Sequence, residues 1–553
     1  MDNKIRTRES RAAIERLYIT MRHLFIRGSY KPLGVSGEEL TKTFLTLNPE
    51  IYGSMSDPYR VELSAMKYVL DRLPRRIEKC RHIRLIAREG FELSDYDVIV
   101  PLKRRRNCYR IDEDSMYIEV TRGRSDIYDI LTHLTFLFNE SKKIMQNSLD
   151  PKGQVSDDWN KLKNFINSDD NRDIKQGITY LSNVLGRTYL ETKMAVEDFG
   201  QRKDEPSLFE IIYWLGHLTI QEQIKGIKRE ISFSQKLREI IGHHIYGEKW
   251  ANHIKDFIVK KGWIERPLHI ISANLHSFLN TLYGNLAEPD IDSLDELAIK
   301  TSEGGNKKLR DKIEKIALQN GLHMIKDSSG ANINVQIIDL EKALHNNSSK
   351  WLHSEKGNTT DRGLLLVMDY AFGEQAYECM DELLKPEIKG ERRLRLNIET
   401  ISIMGKAGIL KGDKGDIIVP GAHVFEGTGD NYPFENSFKA ADFAGNGINV
   451  VEGNMITVLG TSLQNKDVLK HFMNSSWNAI GIEMEGAHYQ KAIQAATKVR
   501  KSVNEQVRVY YAYYASDNPM QSKTTLASGG LGQEGIKPTY LITLKLLENI
   551  AKG

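Results

Sequence analysis

The chain has 553 residues, of which 40% are hydrophobic and 27% charged, with 77 Lys and Arg set against 74 Asp and Glu. That length exceeds what one core holds, so two or three domains are expected, and the balanced charge excludes a global drive toward nucleic acid or a membrane surface. Cys80, Cys108 and Cys379 are too few and too scattered for a disulfide framework or a cysteine zinc site. No apolar run approaches a membrane span, and the first eight residues lack the apolar region of a signal peptide, so a cytoplasmic protein is expected.

To about residue 264 the pattern is mostly helical. Ile14, Leu17, Tyr18, Met21, Leu24 and Phe25 recur at helical spacing. A short β-rich patch follows, with strands expected at 83–86, 96–100 and 116–120. Ser125 is a candidate N-cap for a helix over 126–145, and Ser207 with Glu210 forms a capping-box pattern for 208–230. Ser168 to Asp173 is polar and reads as a loop. His133 with Glu140 and His217 with Glu222 stand in similar phrases, but the five-residue step from His217 to Glu222 separates helix faces, and no His-Glu-x-x-His occurs. No metal is expected. The run Lys103 to Arg106 is followed by Asp112, Glu113 and Asp114 and reads as a solvated charged loop. The role of residues 1–264 is not legible.

From about residue 265 strands alternate with helices. Strands are expected at 268–272, 333–338, 363–368, 400–404, 416–419, 480–485 and 509–515, with helices at 275–282, 309–320 and 374–384 between them. Residues 285–308, with Gly304 and Gly305, read as a polar surface insertion. Gly427 to Phe434 is a glycine- and aromatic-bearing loop, and Tyr370 to Glu374 opens a helix with amides placed to receive an anion. This alternation predicts an α/β domain over 265–553, a mixed, mainly parallel sheet flanked by helices, preceded by a mostly helical α+β domain over 1–264.

Two segments of that second domain carry the chemistry. Ile480 to Ala487 (IGIEMEGA) is an apolar stretch ending in Glu483 and Glu485. Val509 to Asn518 (VYYAYYASDN) ends at Ser516 and Asp517. Strands that deliver carboxylates at their C-terminal ends are how open α/β sheets build sites. One carboxylate can bind sugar hydroxyls while the other protonates a leaving group, a division that suits cleavage of an N-glycosidic bond.

With these blocks, residues 401–410 (ISIMGKAGIL) with 414–419 (KGDIIV), and 453–459 (GNMITVL), complete an ordered set. The set resembles the purine nucleoside phosphorylase and nucleosidase superfamily, which includes methylthioadenosine nucleosidase and AMP nucleosidase. The resemblance implies that Glu485 takes the ribose hydroxyls, with Glu483 and Met484 beside it under the sugar. It implies that Asp517, beside Ser516, protonates the purine at N7. Gly405, Lys406 and Gly408 would form the glycine turn, and Thr457 and Val458 would line the base pocket.

Phosphorylases of the superfamily carry arginines where this chain has Ser277 and Ile403, and the nucleosidases carry a glutamate on the first turn, where Asn274 and His276 are the substitutes here. Hydrolysis of a purine nucleoside or nucleotide is the leading expectation, with His276 as water-activating base. Phosphorolysis using Lys406 for phosphate, and a nucleotide-sensing protein without turnover, are the alternatives. No cofactor is implied, with phosphate the one candidate co-substrate, and homo-oligomers are the superfamily's habit.

Overall fold

The computed structural model of the chain describes residues 2–168, 173–201, 205–302, 306–345, 350–352, 362–389, 392–521 and 532–552. The chain divides into two compact units, residues 1–243 with 462–465, and residues 244–461 with 466–553.

In the first unit the helical periodicity of Ile14, Leu17, Met21 and Leu24 buries one face of the helix Asp2–Arg27. Six strands form a sheet in the order Ser29–Tyr30, Glu230–Phe233, His82–Ile86, Ser115–Glu119, Cys108–Arg110, Val98–Ile99. Three of them were not expected from sequence, because two to four residues are too few to show alternation. The long helix Gly123–Ser148 begins before Ser125, with Arg122 in the N-cap position. Leu208–Lys225 carries the expected Ser207–Glu210 capping box and is stopped by Gly226 at φ 69°, five residues before the expected end.

Part of the run 103–106 is not solvated. Arg104 grips Asp129 with two hydrogen bonds of 2.9 and 2.6 Å, and buried Arg106 bridges Asp126 and Asp129 at 3.0 and 2.8 Å. Asp126 and Asp129, one helical turn apart, present paired carboxylates that neutralise the guanidinium groups. His133, fully buried, lies 3.3 Å from Asp129, and His217 bonds Gln221 at 2.7 Å. Of the loop 168–173, residues 169–172 lie outside the described residues.

The second unit starts with the helix Ile245–Lys260, tied to it by Trp250 Nε1 donating to the Ile333 carbonyl at 2.9 Å and Lys255 Nζ donating to the Glu382 carbonyl at 2.6 Å. The strands of its main sheet are β1 (Leu268–Ser272), β2 (Leu322–Ile325), β3 (Val335–Asp339), β4 (Leu364–Met368), β5 (Ile398–Ile409), β6 (Ile417–Phe425), β7 (Asn431–Pro433), β8 (Val450–Thr457), β9 (Ala479–Glu483) and β10 (Arg508–Asp517), beside a separate hairpin of Glu387–Lys389 with Arg392–Leu394. They run β7-β6-β8-β9-β5-β1-β4-β3-β2, and β10 pairs with both β5 and β6. The pairs β5–β10, β10–β6, β6–β8, β8–β9 and β9–β5 therefore close a ring of five strands, a small barrel that continues into an open sheet through β1 and β4. The sheet is mixed: the long ladders β5–β10 and β6–β8 are parallel, while β9 meets β5, and β3 meets β4, in antiparallel fashion.

Two expectations needed revision here. Residues 285–308 are not simply a polar insertion, since the helix Leu294–Ser302 buries Leu294, Leu297 and Ala298 in the core beside Phe278 and Leu282. Gly304 and Gly305 lie outside the described residues. The loop 427–434 contributes β7, which pairs with β6 and places Phe434 flat against His423, ring centroids 5.4 Å apart. Among the described residues no helix is long and apolar enough to cross a membrane, and no cluster of three or more His, Cys, Asp or Glu could hold a metal.

Candidate active site

Ala479 to Glu483 are all buried, which makes β9 an interior strand, and the chain turns directly from it into the helix Gly486–Gln494 with Glu485 at the N-cap. Glu483 fixes this corner. It is 1% exposed, and its carboxyl group accepts hydrogen bonds from the Thr457 hydroxyl and from the backbone amides of Glu485 and Gly486. Thr457 Oγ1 in turn accepts from the Ala487 amide at 2.9 Å, and the Val458 amide donates to the Glu483 carbonyl at 2.8 Å. Burial, together with the nearby Glu485 charge, pushes the Glu483 carboxyl up to about 8. Only glycine fits at 486, where a Cβ would lie 2.2 Å from His423 Cδ2.

Asp517 closes β10. It is 4% exposed; Oδ1 accepts from Ser516 Oγ at 2.6 Å, while Oδ2 is buried without a hydrogen-bond partner among the described residues. Burial holds this carboxyl above the ordinary aspartate value, against the opposing effects of the Ser516 hydrogen bond and the Lys406 and Lys414 charges. A buried oxygen left unpaired beside a hydroxyl donor is suited to meet a ligand atom.

Strand register relates the two acids. Gly408 of β5 pairs with Ile482 of β9 on one edge and with Asp517 of β10 on the other. With neighbouring strands about 5 Å apart, the two acid-bearing strand ends are separated by roughly 10 Å across a single strand. A side chain at 408 would crowd both neighbours, since a Cβ there would stand 3.0 Å from Ile482 and 3.1 Å from Pro519. Lys406 lies two residues before this crossing. Partial burial lowers its ammonium pKa, and the charges of Asp517 and Glu485 both act to hold its proton. One lysine thus senses both acids.

The loop after β4 reaches Glu485. Gly373, at φ 55°, donates its amide to Glu485 Oε1 at 2.9 Å, so the anion received by the segment 370–374 is the chain's own carboxylate. Tyr370 and Tyr513 flank Gly405, 3.6 and 3.9 Å from where its Cβ would be. Tyr370 is 40% exposed as a whole, but its hydroxyl is hydrogen-bonded with Asn274, and desolvation there raises its pKa. Asn274 also caps the helix Leu275–Ala287, accepting from the Ser277 amide at 2.8 Å. Tyr489 bonds Ser272 through its hydroxyl at 2.9 Å, and Tyr513 bonds His423 at 3.2 Å.

Glu485, Asp517, Lys406, Gly405, Gly408 and Ser516 are therefore brought together, whereas Glu483, Thr457 and Val458 are engaged in holding the β9 corner and Met484 is buried beside it. His276, exposed in the first turn of the helix Leu275–Ala287, has its pKa lowered by desolvation of the ring and by the Arg310 charge, with Asp369 and Glu314 opposing. The sequence pointed to the amides of 370–374 without singling out Gly373, and gave no sign of the hydroxyl of Tyr370 or of Tyr513. The alternation along 509–517 is the signal that would have separated Tyr511 and Tyr513 from Tyr510 and Tyr514.

Fold and site together define an α/β protein with two carboxylates and a lysine at adjoining strand ends. The chain belongs to the family of unknown function DUF6909, whose model matches residues 38–317 and 298–552. No curated protein matches it. Among solved structures it is similar to a futalosine hydrolase mutant of Helicobacter pylori, with 12% identity, a TM-score of 0.31, and coverage of 51% of this chain and 99% of the other. The 5′-methylthioadenosine/S-adenosylhomocysteine nucleosidase of Campylobacter jejuni gives 10% identity and a TM-score of 0.31, covering 52% and 99%. The corresponding Neisseria meningitidis nucleosidase, solved with methylthio-immucillin-A, gives 10% identity and a TM-score of 0.30, covering 51% and 99%.

Proposed function

We propose that the second unit hydrolyses the N-glycosidic bond of a purine nucleoside or nucleotide. The observation that carries this reading is the register at Gly408, which sets the strand ends bearing Glu485 and Asp517 on either side of one strand. Glu485, oriented by the Gly373 amide, accepts hydrogen bonds from the sugar hydroxyls, contacts that strengthen as positive charge develops on the ring. Asp517, whose pKa is raised by burial, donates its proton to N7 as the bond from C1′ to N9 breaks and the electron pair leaves with the base. Water adds to C1′ and loses a proton, giving free purine and ribose or ribose phosphate. Ser277 and Ile403, where arginines would bind phosphate by charge, favour water over phosphate.

Lys406 supports a second reading, phosphorolysis, because its cation lies in the field of both acids where an attacking phosphate would be held. Incubation with AMP, adenosine, inosine, guanosine and methylthioadenosine, followed by chromatography, tests both. Free base formed without phosphate is the expected result. Base release that requires phosphate and yields ribose 1-phosphate selects the second reading, and no base from any substrate overturns both.

A further inference from the structure

The first unit carries an open sheet edge whose side chains are apolar on the wrong side for a monomer. Val98–Ile99 is the last strand of the six-stranded sheet and pairs only with Cys108–Arg110 among the described residues. Ile99 points inward and is buried. Val98 and Val100 are 53% and 54% exposed; Tyr96, in the bend before the strand, and Leu102, in the turn after Pro101, are exposed as well. An unpaired edge flanked by exposed apolar side chains templates pairing with another strand.

Peptide orientation and charge say what fits it. The Asp97 carbonyl accepts from the Arg110 amide at 3.4 Å, so the peptide groups of 97 and 99 face the neighbouring strand. By alternation those of Val98 and Val100 face outward. The segment is acidic before this point, at Asp95 and Asp97, and basic after it, at Lys103 and Arg105. None of these four has an ion-pair partner within the chain among the described residues, and all four are exposed. A segment acidic at one end and basic at the other is complementary to itself when antiparallel.

We propose that a second copy of this chain covers the edge, the two Val98–Ile99 strands pairing antiparallel about a two-fold axis at Ile99. In that register Val98 of each copy lies opposite Val100 of the other, as a pair that exchanges both peptide hydrogen bonds. The two Ile99 side chains stay in their own cores, and the acidic end of each strand meets the basic end of its mate. The contact is isologous, as a closed dimer requires.

Sedimentation velocity on the full chain tests this with two charge-reversed variants, one Asp95→Lys with Asp97→Lys, the other Lys103→Glu with Arg105→Glu. The parent should show a concentration-dependent mass reaching twice that of one chain, weakened by added salt. Each variant alone sets like charge against like charge and should associate at least tenfold more weakly. An equimolar mixture, all-basic against all-acidic, should recover association to the parent level, which also shows that both variants are folded. If the parent forms larger assemblies through other faces, each variant should halve their size. A parent that stays at one chain mass, variants that assemble as the parent does, or a mixture that fails to recover would overturn the proposal.

Discussion

Glu483→Gln isolates the group that holds the β9 corner. Burial and Glu485 raise the Glu483 carboxyl from 4.5 to about 8, a displacement worth roughly 5 kcal/mol at 1.36 kcal/mol per unit. Because the folded-state value lies above the unfolded one, the native chain holds more protons between those limits. Stability from this group is thus fully present below about pH 4.5 and is lost as pH rises through about 8. The protonated carboxyl and the amide of glutamine are near-isosteres: each offers one oxygen to the Glu485 and Gly486 amides, and each carries a donor on the side of Thr457, whose hydroxyl donates to the carboxylate and turns to accept when residue 483 is neutral. At pH 5 the variant should match the parent within about 1 kcal/mol. By pH 9 it should be the more stable by several kcal/mol, an upper bound of roughly 5. Urea unfolding followed by circular dichroism at pH 5, 7 and 9 measures the difference, in which other titrating groups cancel. A difference that stays constant over this range would refute the reasoning.

Asp517→Asn should lower kcat by about a hundred- to ten-thousandfold through loss of the proton donor. The parent's activity should decline as pH rises through the elevated Asp517 pKa, and that limb should vanish in the variant's residual rate, both read from initial rates of base release. Gly408→Val places atoms against Ile482 and Pro519, already 3.0 and 3.1 Å from a Cβ, and should cost about 1–3 kcal/mol in thermal unfolding while reducing turnover. Asp129→Asn leaves Arg104 and Arg106 without a shared counter-charge and should destabilise the first unit by about 3–5 kcal/mol, seen as a lower urea midpoint.

Sequence revealed β1, β3, β4, β9 and β10 because each is a buried run ending at a polar turn, whereas β2 and β7, four and three residues long, are too short to show a pattern, and β7 reads as loop. β9 and β10 were read to within two residues at either end. The closing of five strands into a ring was not legible, since nothing local in Ile398–Ile409 announces that it pairs with three other strands. The same holds for Glu483. Its spacing from Glu485 suggested two acids under one sugar, yet β9 ends at Glu483, whose carboxyl turns to Thr457, and the bend into the following helix puts Glu485 at the helix start instead of on the same strand face. The amides of 370–374 were legible as an anion site, but not that the anion would be the carboxylate of Glu485, more than a hundred residues on. Arg104 and Arg106 looked solvated because their partners, Asp126 and Asp129, lie twenty or more residues away on a different element.

The most direct test of the two-acid cleft is a crystal structure of the Asp517→Asn variant soaked with adenosine. Our account predicts density for an intact nucleoside beside Gly405 and Gly408, its 2′- and 3′-hydroxyls on Glu485 and N7 of the base facing residue 517. A nucleoside bound elsewhere in the second unit, or one whose sugar lies away from Glu485, would contradict it.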